Sequence, residues 1–329
     1  MKEYIIGENE AGQRFDKYIF KLIPLAPKGF VYKMLRKKNI VLNGKKALGS
    51  EMTEKGDTVK LFLSDETIEE FSKKDKIKPS PSIIDADIVY EDSNVIIMNK
   101  PAGILSQKAG QNDISMNEVL IKYLTDKGRI NDAQLQTFKP SVVNRLDRNT
   151  SGLIMAGCSL KGTQQLSEAL RDRNLKKEYI CIAKGTVRDK LHLSGTLTKD
   201  EGTNKVSIKK SGGDLIKTDI YPIGYGDGLT LLKVHLITGK THQIRAHLAS
   251  VGHPLIGDEK YGDKKVNDLM KKKYGLTHQL LHSWMVSFEK EEGALEGLSH
   301  KTIKAPIPDI FLKIIKGENI KWQHGPEED

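Results

Sequence analysis

Asp147 stands between two arginines in the run Val143-Asn144-Arg145-Leu146-Asp147-Arg148-Asn149-Thr150-Ser151-Gly152-Leu153. The flanking guanidinium charges favour the charged carboxylate. A carboxylate on a Ser/Thr/Gly-rich turn before an apolar strand has the chemistry of a nucleophile, a base or a metal ligand. The same triplet also suits a plain Arg–Asp–Arg ion network at a loop.

A second run, Thr238-Gly239-Lys240-Thr241-His242-Gln243-Ile244-Arg245-Ala246-His247-Leu248, leads into Gly252-His253-Pro254-Leu255-Ile256-Gly257-Asp258 and Tyr261-Gly262. Its histidines suggest a metal at first sight. His242 and His247 are five apart, however, so they do not share a helical face as i, i+4 ligands do, and no acid lies between them. Polar pairing within the loop fits better, and no metal is expected. A third run, Lys177-Glu178-Tyr179, opens an apolar strand. A tyrosine there is either ordinary sheet packing or a face on which an extruded base stacks.

The elements that must position these groups begin after residue 82. From Ile83 onward, short strands separated by turns are interspersed with helices expected at Ser115 to Leu124 and Lys161 to Arg173. Strands are expected at Glu178 to Gly185 and Leu229 to Thr238. Without a regular βαβ alternation, the fold class is α+β with a mixed, mostly antiparallel sheet. Residues 12–63 read differently. Phe15, Tyr18, Ile19 and Leu22 have helical spacing, and Pro24 and Pro27 break the chain before a second helix. Asn43-Gly44 between short strands signals a hairpin, because both residues tolerate positive φ. Residues 64–82, charged and ending in Pro79 and Pro81, read as a flexible linker. The expected organisation is a small domain over 1–63, a linker over 64–82 and a larger domain over 83–329.

Charge is uneven. The 329-residue chain carries 53 Lys/Arg against 43 Asp/Glu, yet residues 1–63 hold 13 against 7. Such asymmetry suits an attached module that binds a polyanion, although a Lys-rich solvated surface looks the same in composition. With 38% hydrophobic and 29% charged residues, long-range disorder is excluded. The uncharged apolar stretch Ser151 to Leu160 is far short of the ~20 residues of a membrane helix. No signal peptide is visible. Cys158 and Cys181 are expected as reduced, buried thiols. The expectation is a cytoplasmic protein with no membrane partner, acting as a monomer.

Two resemblances follow from these runs. "KGFVYKMLRKKNIVLNGKKA" followed by "EKGDTVKLFL" resembles an S4 RNA-binding domain over about 50 residues. By that resemblance Lys28, Lys33, Arg36, Lys37, Lys38 and Lys45 form a face that neutralises phosphates without reading sequence. "NKPAGILSQ", "VNRLDRNTSGLIMAG", "KKEYICIAKG", "LITGKTHQIRAHLASVGHPLIGDEKYG", "LLHSWMVSF" and "KAPIP", between residues 98 and 308, together resemble the RNA pseudouridine synthases of the RluA type.

The second resemblance implies an isomerase that detaches uracil from C1′ of a flipped-out uridine, rotates it and rejoins it through C5, with no cofactor. It implies that Asp147 is the essential carboxylate and that Arg245 pairs with it. Tyr179 packs on the base, and Arg145 enters the RNA stack as the uridine leaves. Lys177, Lys240, His242 and Gln243 are implied as backbone or loop contacts to RNA. Asn144 stands where many relatives have His, and Lys240 where many have Arg. Neither change touches the Asp147–Arg245 pair, but Lys240 lacks the bidentate fork of a guanidinium. The S4-like segment and the stretch from "GTLTKDEGTNKVSI" to "KTDIYPIG" lean toward large-subunit (23S) ribosomal RNA. Alternatives are a tRNA pseudouridine synthase and a non-catalytic RNA-binding or ribosome-assembly factor. A pure binder has no use for an acid in an anionic RNA groove. A carboxylate-dependent nuclease would show several acids for metal, where this motif offers one.

Overall fold

The computed structural model describes residues 1–72, 83–110, 113–199, 206–209 and 213–322. The N-terminal region contains β1 (Lys2–Ile5), α1 (Phe15–Leu22), α2 (Lys28–Arg36), β2 (Ile40–Leu42), β3 (Lys45–Lys46), β4 (Thr58–Leu61) and α3 (Asp65–Phe71). Its sheet has the order β1-β4-β2-β3. The apolar stripes of α1 and α2 explain the packing: Phe15, Ile19, Val31 and Leu35 close over Ile40, Val59 and Leu61 in one core. Asn43 and Gly44 both take positive φ, so the β2–β3 hairpin turns as the residue pair dictates. The Asn43 side chain then ties this turn to Asp57 and to the backbone N–H of Thr58.

Two features differ from the sequence reading. β1 lies outside the 12–63 unit and pairs antiparallel with β4. The linker expected over 64–82 begins with a helix instead. Ser64 caps α3 by accepting the Thr67 N–H, and Ile68 is buried in the N-terminal core. The Phe71 ring meets Phe30 at 5.0 Å between centroids. The high charge of this segment hid an i, i+3 apolar pair, and the acids Asp65 and Glu66 suit the positive end of the helix. Pro79 and Pro81 lie outside the described residues.

The larger region runs β5 (Ile88–Glu91), β6 (Val95–Lys100), α4 (Met116–Asp126), α5 (Asp132–Thr137), β7 (Ser141–Val142), β8 (Ser151–Gly157), α6 (Leu160–Asp172) and β9 (Leu175–Lys184). It continues through β10 (Leu191–Lys199), β11 (Val206–Lys209), β12 (Asp214–Gly226), β13 (Leu229–Leu236), α7 (Gln243–Ser250) and α8 (Lys264–Tyr274). It closes with β14 (Leu281–Phe288), β15 (Thr302–Lys304), α9 (Asp309–Gly317) and β16 (Lys321–Trp322). The sheet order is β11-β10-β12-β13-β9-β14-β8-β6-β5, with β7, β15 and β16 attached at its sides. Among the named strands every pairing is antiparallel except that of β14 with β8. Part of the "GTLTKDEGTNKVSI" stretch and the end of the chain beyond Trp322 lie outside the described residues.

Apolar clusters on both faces explain why β8, β9 and β14 are central and almost wholly buried. Where β8 meets β14, Gly152 has φ 104°, and a Cβ built on it would sit 2.1 Å from the Ser283 carbonyl oxygen. Only glycine lets the two strands approach so closely at the end of the Asp147 loop. Cys158 and Cys181 are buried and unbridged, and burial pushes both thiols up in pKa. The N-terminal region touches the larger one where α1 packs on α5, and Thr137 donates to Glu10 at 2.8 Å.

Candidate active site

Asp147 sits on the loop between β7 and β8, and that loop is tied down along its length. The Ser106 hydroxyl accepts the Leu146 N–H and donates to the Leu146 carbonyl. Gly103 N–H and the Lys100 ammonium both donate to the Arg148 carbonyl, at 2.9 and 2.8 Å. Asn144 turns inward and accepts the Met155 N–H at 2.7 Å, so this position serves the loop's attachment to β8. A carboxylate on a loop this constrained loses little freedom when substrate arrives.

Lys100 is fully buried, and among the described residues its Nζ reaches two carbonyls, those of Pro101 and Arg148. Burial pulls its pKa down to about 7, although the nearby Asp147 charge opposes that. The "NKPAG" run pointed to the segment but not to its lysine.

Arg245, on the first turn of α7, is clasped from two sides. Its Nε and Nη2 donate to the two oxygens of Asp258 at 2.7 and 2.9 Å, a bidentate pair. Its Nη1 donates to Asp147 Oδ2 at 2.9 Å. Burial works against the guanidinium charge. The hydrogen bonds and charge of Asp258, then those of Asp147, outweigh it and raise the pKa. Asp258 is wholly buried and also accepts the N–H groups of Lys260 and Tyr261. Burial alone would raise its pKa, but Arg245 and those N–H groups bring it below the usual carboxylate value. One guanidinium therefore joins a buried acid that fixes it to a half-exposed acid that it presents. Asp258 was not among the sequence candidates. An acid inside "LIGDEKYG", thirteen residues beyond Arg245, was the available signal.

A cleft of about 650 Å³ opens over this pair. Asp147, Tyr179, Arg245, Arg145, Lys177, Lys240, His242 and Gln243 all line it, so every candidate of the larger region converges there. Their states differ. Tyr179 is buried on β9 opposite Ser283 of β14. Burial raises its phenol to about 12, a hydrogen bond with Ser283 opposes the rise, and the Asp147 charge adds to it. Arg145 is exposed at the rim. Lys177 has its pKa lowered by burial and by the Arg173 charge, leaving a cation without an ion pair among the described residues. Lys240 is exposed and paired with Asp214 at 2.8 Å.

Gln243 corrects the sequence reading. It is buried, its amide oxygen accepts from Thr238 and Lys240, and its nitrogen donates to Lys217 and Thr218. With the amide saturated, it holds the 238–243 turn and has nothing left for RNA. The three histidines diverge. His242 reaches the Tyr261 hydroxyl, His247 the Thr218 hydroxyl and His253 the Lys184 carbonyl. Among the described residues no group of three metal-ligating side chains assembles.

The N-terminal candidates lie elsewhere. Lys28, Lys33, Arg36, Lys37, Lys38 and Lys45 are all exposed on α2, on the turn after it and on β3. None has an ion pair among the described residues.

Comparison with known proteins identifies a family. Residues 94–250 match the family described as RNA pseudouridylate synthase. The chain is 30% identical over 322 residues to ribosomal large subunit pseudouridine synthase C of Rickettsia bellii, covering 92% of this chain and 96% of that one. It is 28% identical to the protein of that name from Pasteurella multocida, covering 96% and 93%. Among solved structures it is similar to human RNA pseudouridylate synthase domain containing 4, with TM-score 0.56, 19% identity and coverage of 71% and 94%. The corresponding human protein domain containing 1 gives TM-score 0.53 at 19% identity, covering 72% and 88%.

Proposed function

The chain belongs to the RNA pseudouridylate synthase family, and from that premise we propose that it isomerises uridines of large-subunit ribosomal RNA with Asp147 as the essential carboxylate. The observation that carries the mechanism is the Asp147–Arg245–Asp258 chain at the floor of the cleft.

Pseudouridine formation breaks the N1–C1′ bond, forms a C5–C1′ bond, releases the C5 proton to solvent and takes up a proton at N1. Positive character at C1′ needs a nearby anion, and Asp147 supplies it, whether by bonding to C1′, by attacking the base or by taking a ribose proton. Arg245 holds that anion in one orientation, and buried Asp258 keeps the guanidinium from moving. Neither C1′ nor C5 is accessible inside a stack, so the uridine is flipped into the cleft, where the Tyr179 ring faces the base. Arg145 at the rim fills the gap left in the RNA. Lys177 meets a phosphate or sugar oxygen near the entrance.

The N-terminal region serves as an S4-like RNA-binding domain ending after α3. Its cationic face contacts the phosphates of flanking RNA. The protein acts as a cytoplasmic monomer. No helix among the described residues is long and apolar enough to cross a membrane.

The decisive experiment is tritium release from RNA labelled at C5 of uridine. Asp147→Asn is expected to abolish release while RNA still binds, because the amide keeps the shape and loses the charge. Full activity in that variant rejects the reading. Pseudouridine mapping of total RNA with and without the protein identifies the substrate. Sites confined to transfer RNA would move the assignment to that class.

A further inference from the structure

Tyr261 is absent from the cleft lining, yet it touches both groups that face Asp147. Its ring lies under the Arg245 guanidinium at 5.2 Å. Its hydroxyl meets His242 Nδ1 at 3.0 Å and accepts the Val206 N–H of β11 at 2.9 Å. The hydroxyl has one proton of its own, since the Val206 contact brings a different one. His242 Nδ1, at 3.0 Å, is within reach to accept that proton. An imidazole that accepts at Nδ1 carries its hydrogen on Nε2 when neutral. Nε2 lies 3.9 Å from Asp147 Oδ2, the same oxygen that Arg245 holds. His242 itself is held at φ 55° as the residue before α7, a left-handed conformation rare for non-glycine residues. Such strain persists only where the surroundings over-determine it.

We propose that Tyr261 is a positioning residue of the reaction: its hydroxyl locks His242 as the Nε2–H tautomer, so that Asp147 is steadied from two sides, by Arg245 and by the imidazole. The 3.9 Å gap is too long for a hydrogen bond in the free protein. It shortens when RNA fills the cleft, as contacts in empty sites commonly do. The groups facing His242 are Asp147 from the β7–β8 loop, Arg245 from α7, and Asp258, Lys260 and Tyr261 from the loop before α8. Burial lowers the His242 pKa, the Asp147 charge opposes this, and the Arg245 and Lys260 charges reinforce it. The neutral imidazole is thus the resting form, and a hydroxyl donating to Nδ1 favours it further. Through Val206, the lock is anchored in the β10–β11 hairpin.

This inference rests on the reaction proposed above, but its first test does not. Imidazole ¹⁵N spectra of the free full-length protein, assigned with a His242→Gln variant, are expected to show the Nε2–H tautomer at neutral pH. An Nδ1–H tautomer in the native protein overturns the proposal, whatever the enzyme's substrate. Tyr261→Phe keeps the ring under Arg245 and removes only the hydroxyl. It is expected to mix the tautomers, shift the acid limb of kcat to higher pH and lower kcat roughly 3–10-fold, the span of one hydrogen bond, with KM little changed. An unaltered tautomer and an unaltered pH profile overturn the proposal. Should that variant misfold, His242→Gln, which can still donate near the Nε2 position, is expected to retain more activity than His242→Leu. Equal loss in both counts against the lock.

Discussion

The floor of the cleft and the outer face of α2 use charge in opposite ways. At the cleft, Arg245 and Asp258 are almost removed from solvent, and every charged atom of the pair has a partner. On α2, the turn after it and β3, six cations stand exposed with no ion pair among the described residues. A buried pair fixes geometry, because either partner alone would be an uncompensated charge in a low-dielectric site. An exposed, unpaired cation fixes nothing by itself, but it attracts a polyanion over distance and is screened by salt. The first arrangement suits a reaction needing one carboxylate in one place. The second suits holding RNA in many registers.

Several substitutions break or sharpen this contrast. The largest effect is expected from Asp258→Ala, which leaves Arg245 buried with one side unpaired. Breaking a buried pair costs about 3–5 kcal/mol, so denaturant unfolding should register a loss of that order together with lost tritium release. Because the Asp258 pKa is lowered in the fold, its contribution is present above the ordinary carboxylate range. It is lost as pH falls through the lowered value, and the variant should lack that part of the acid unfolding curve.

Lys100→Met comes next. From about 7 up to the ordinary 10.5, the unfolded chain binds a proton at Lys100 that the folded chain does not. Stability from this group therefore rises with pH across that window, by up to about 1.4 kcal/mol per unit. The methionine variant should lose that slope, as thermal melts from pH 7 to 10 would show.

The smallest effect per residue is expected on the basic face. Changing Lys33, Arg36 and Lys37 to Ala should leave the melting curve and kcat nearly unaltered. The slope of log K against log salt should flatten by roughly 0.7–0.9 for each phosphate contact removed. Point changes are preferable to deleting the N-terminal region, because α1 packs on α5 and Thr137 bonds to Glu10. An unchanged slope would place RNA elsewhere.

Much of this was legible in the chain because it is local. The Asn43-Gly44 turn, the stripes of α1 and α2, and the helix read from Lys161 to Arg173 and found at Leu160–Asp172 depend on neighbours within a few residues. The convergence of Asp147, Tyr179 and Arg245 was legible only through resemblance, since 98 residues separate the acid from its arginine. β1 was not legible: four residues near the N-terminus become a strand because β4 offers them an edge. Nor was α3, whose charge concealed a buried Ile68 and a half-buried Phe71.

Residue types and local spacing by themselves singled out an acid between two arginines and a tyrosine at a strand start, and showed that the cations gather toward the N-terminus; Arg245 was singled out by the resemblance. Tertiary structure alone decided that Asp258 holds Arg245, that Lys100 is buried against two carbonyls, that Gln243 is saturated and that Tyr261 reaches His242. Hydrogen-bond saturation and burial depend on what other segments bring within about 3 Å, and a one-dimensional pattern carries no such distance.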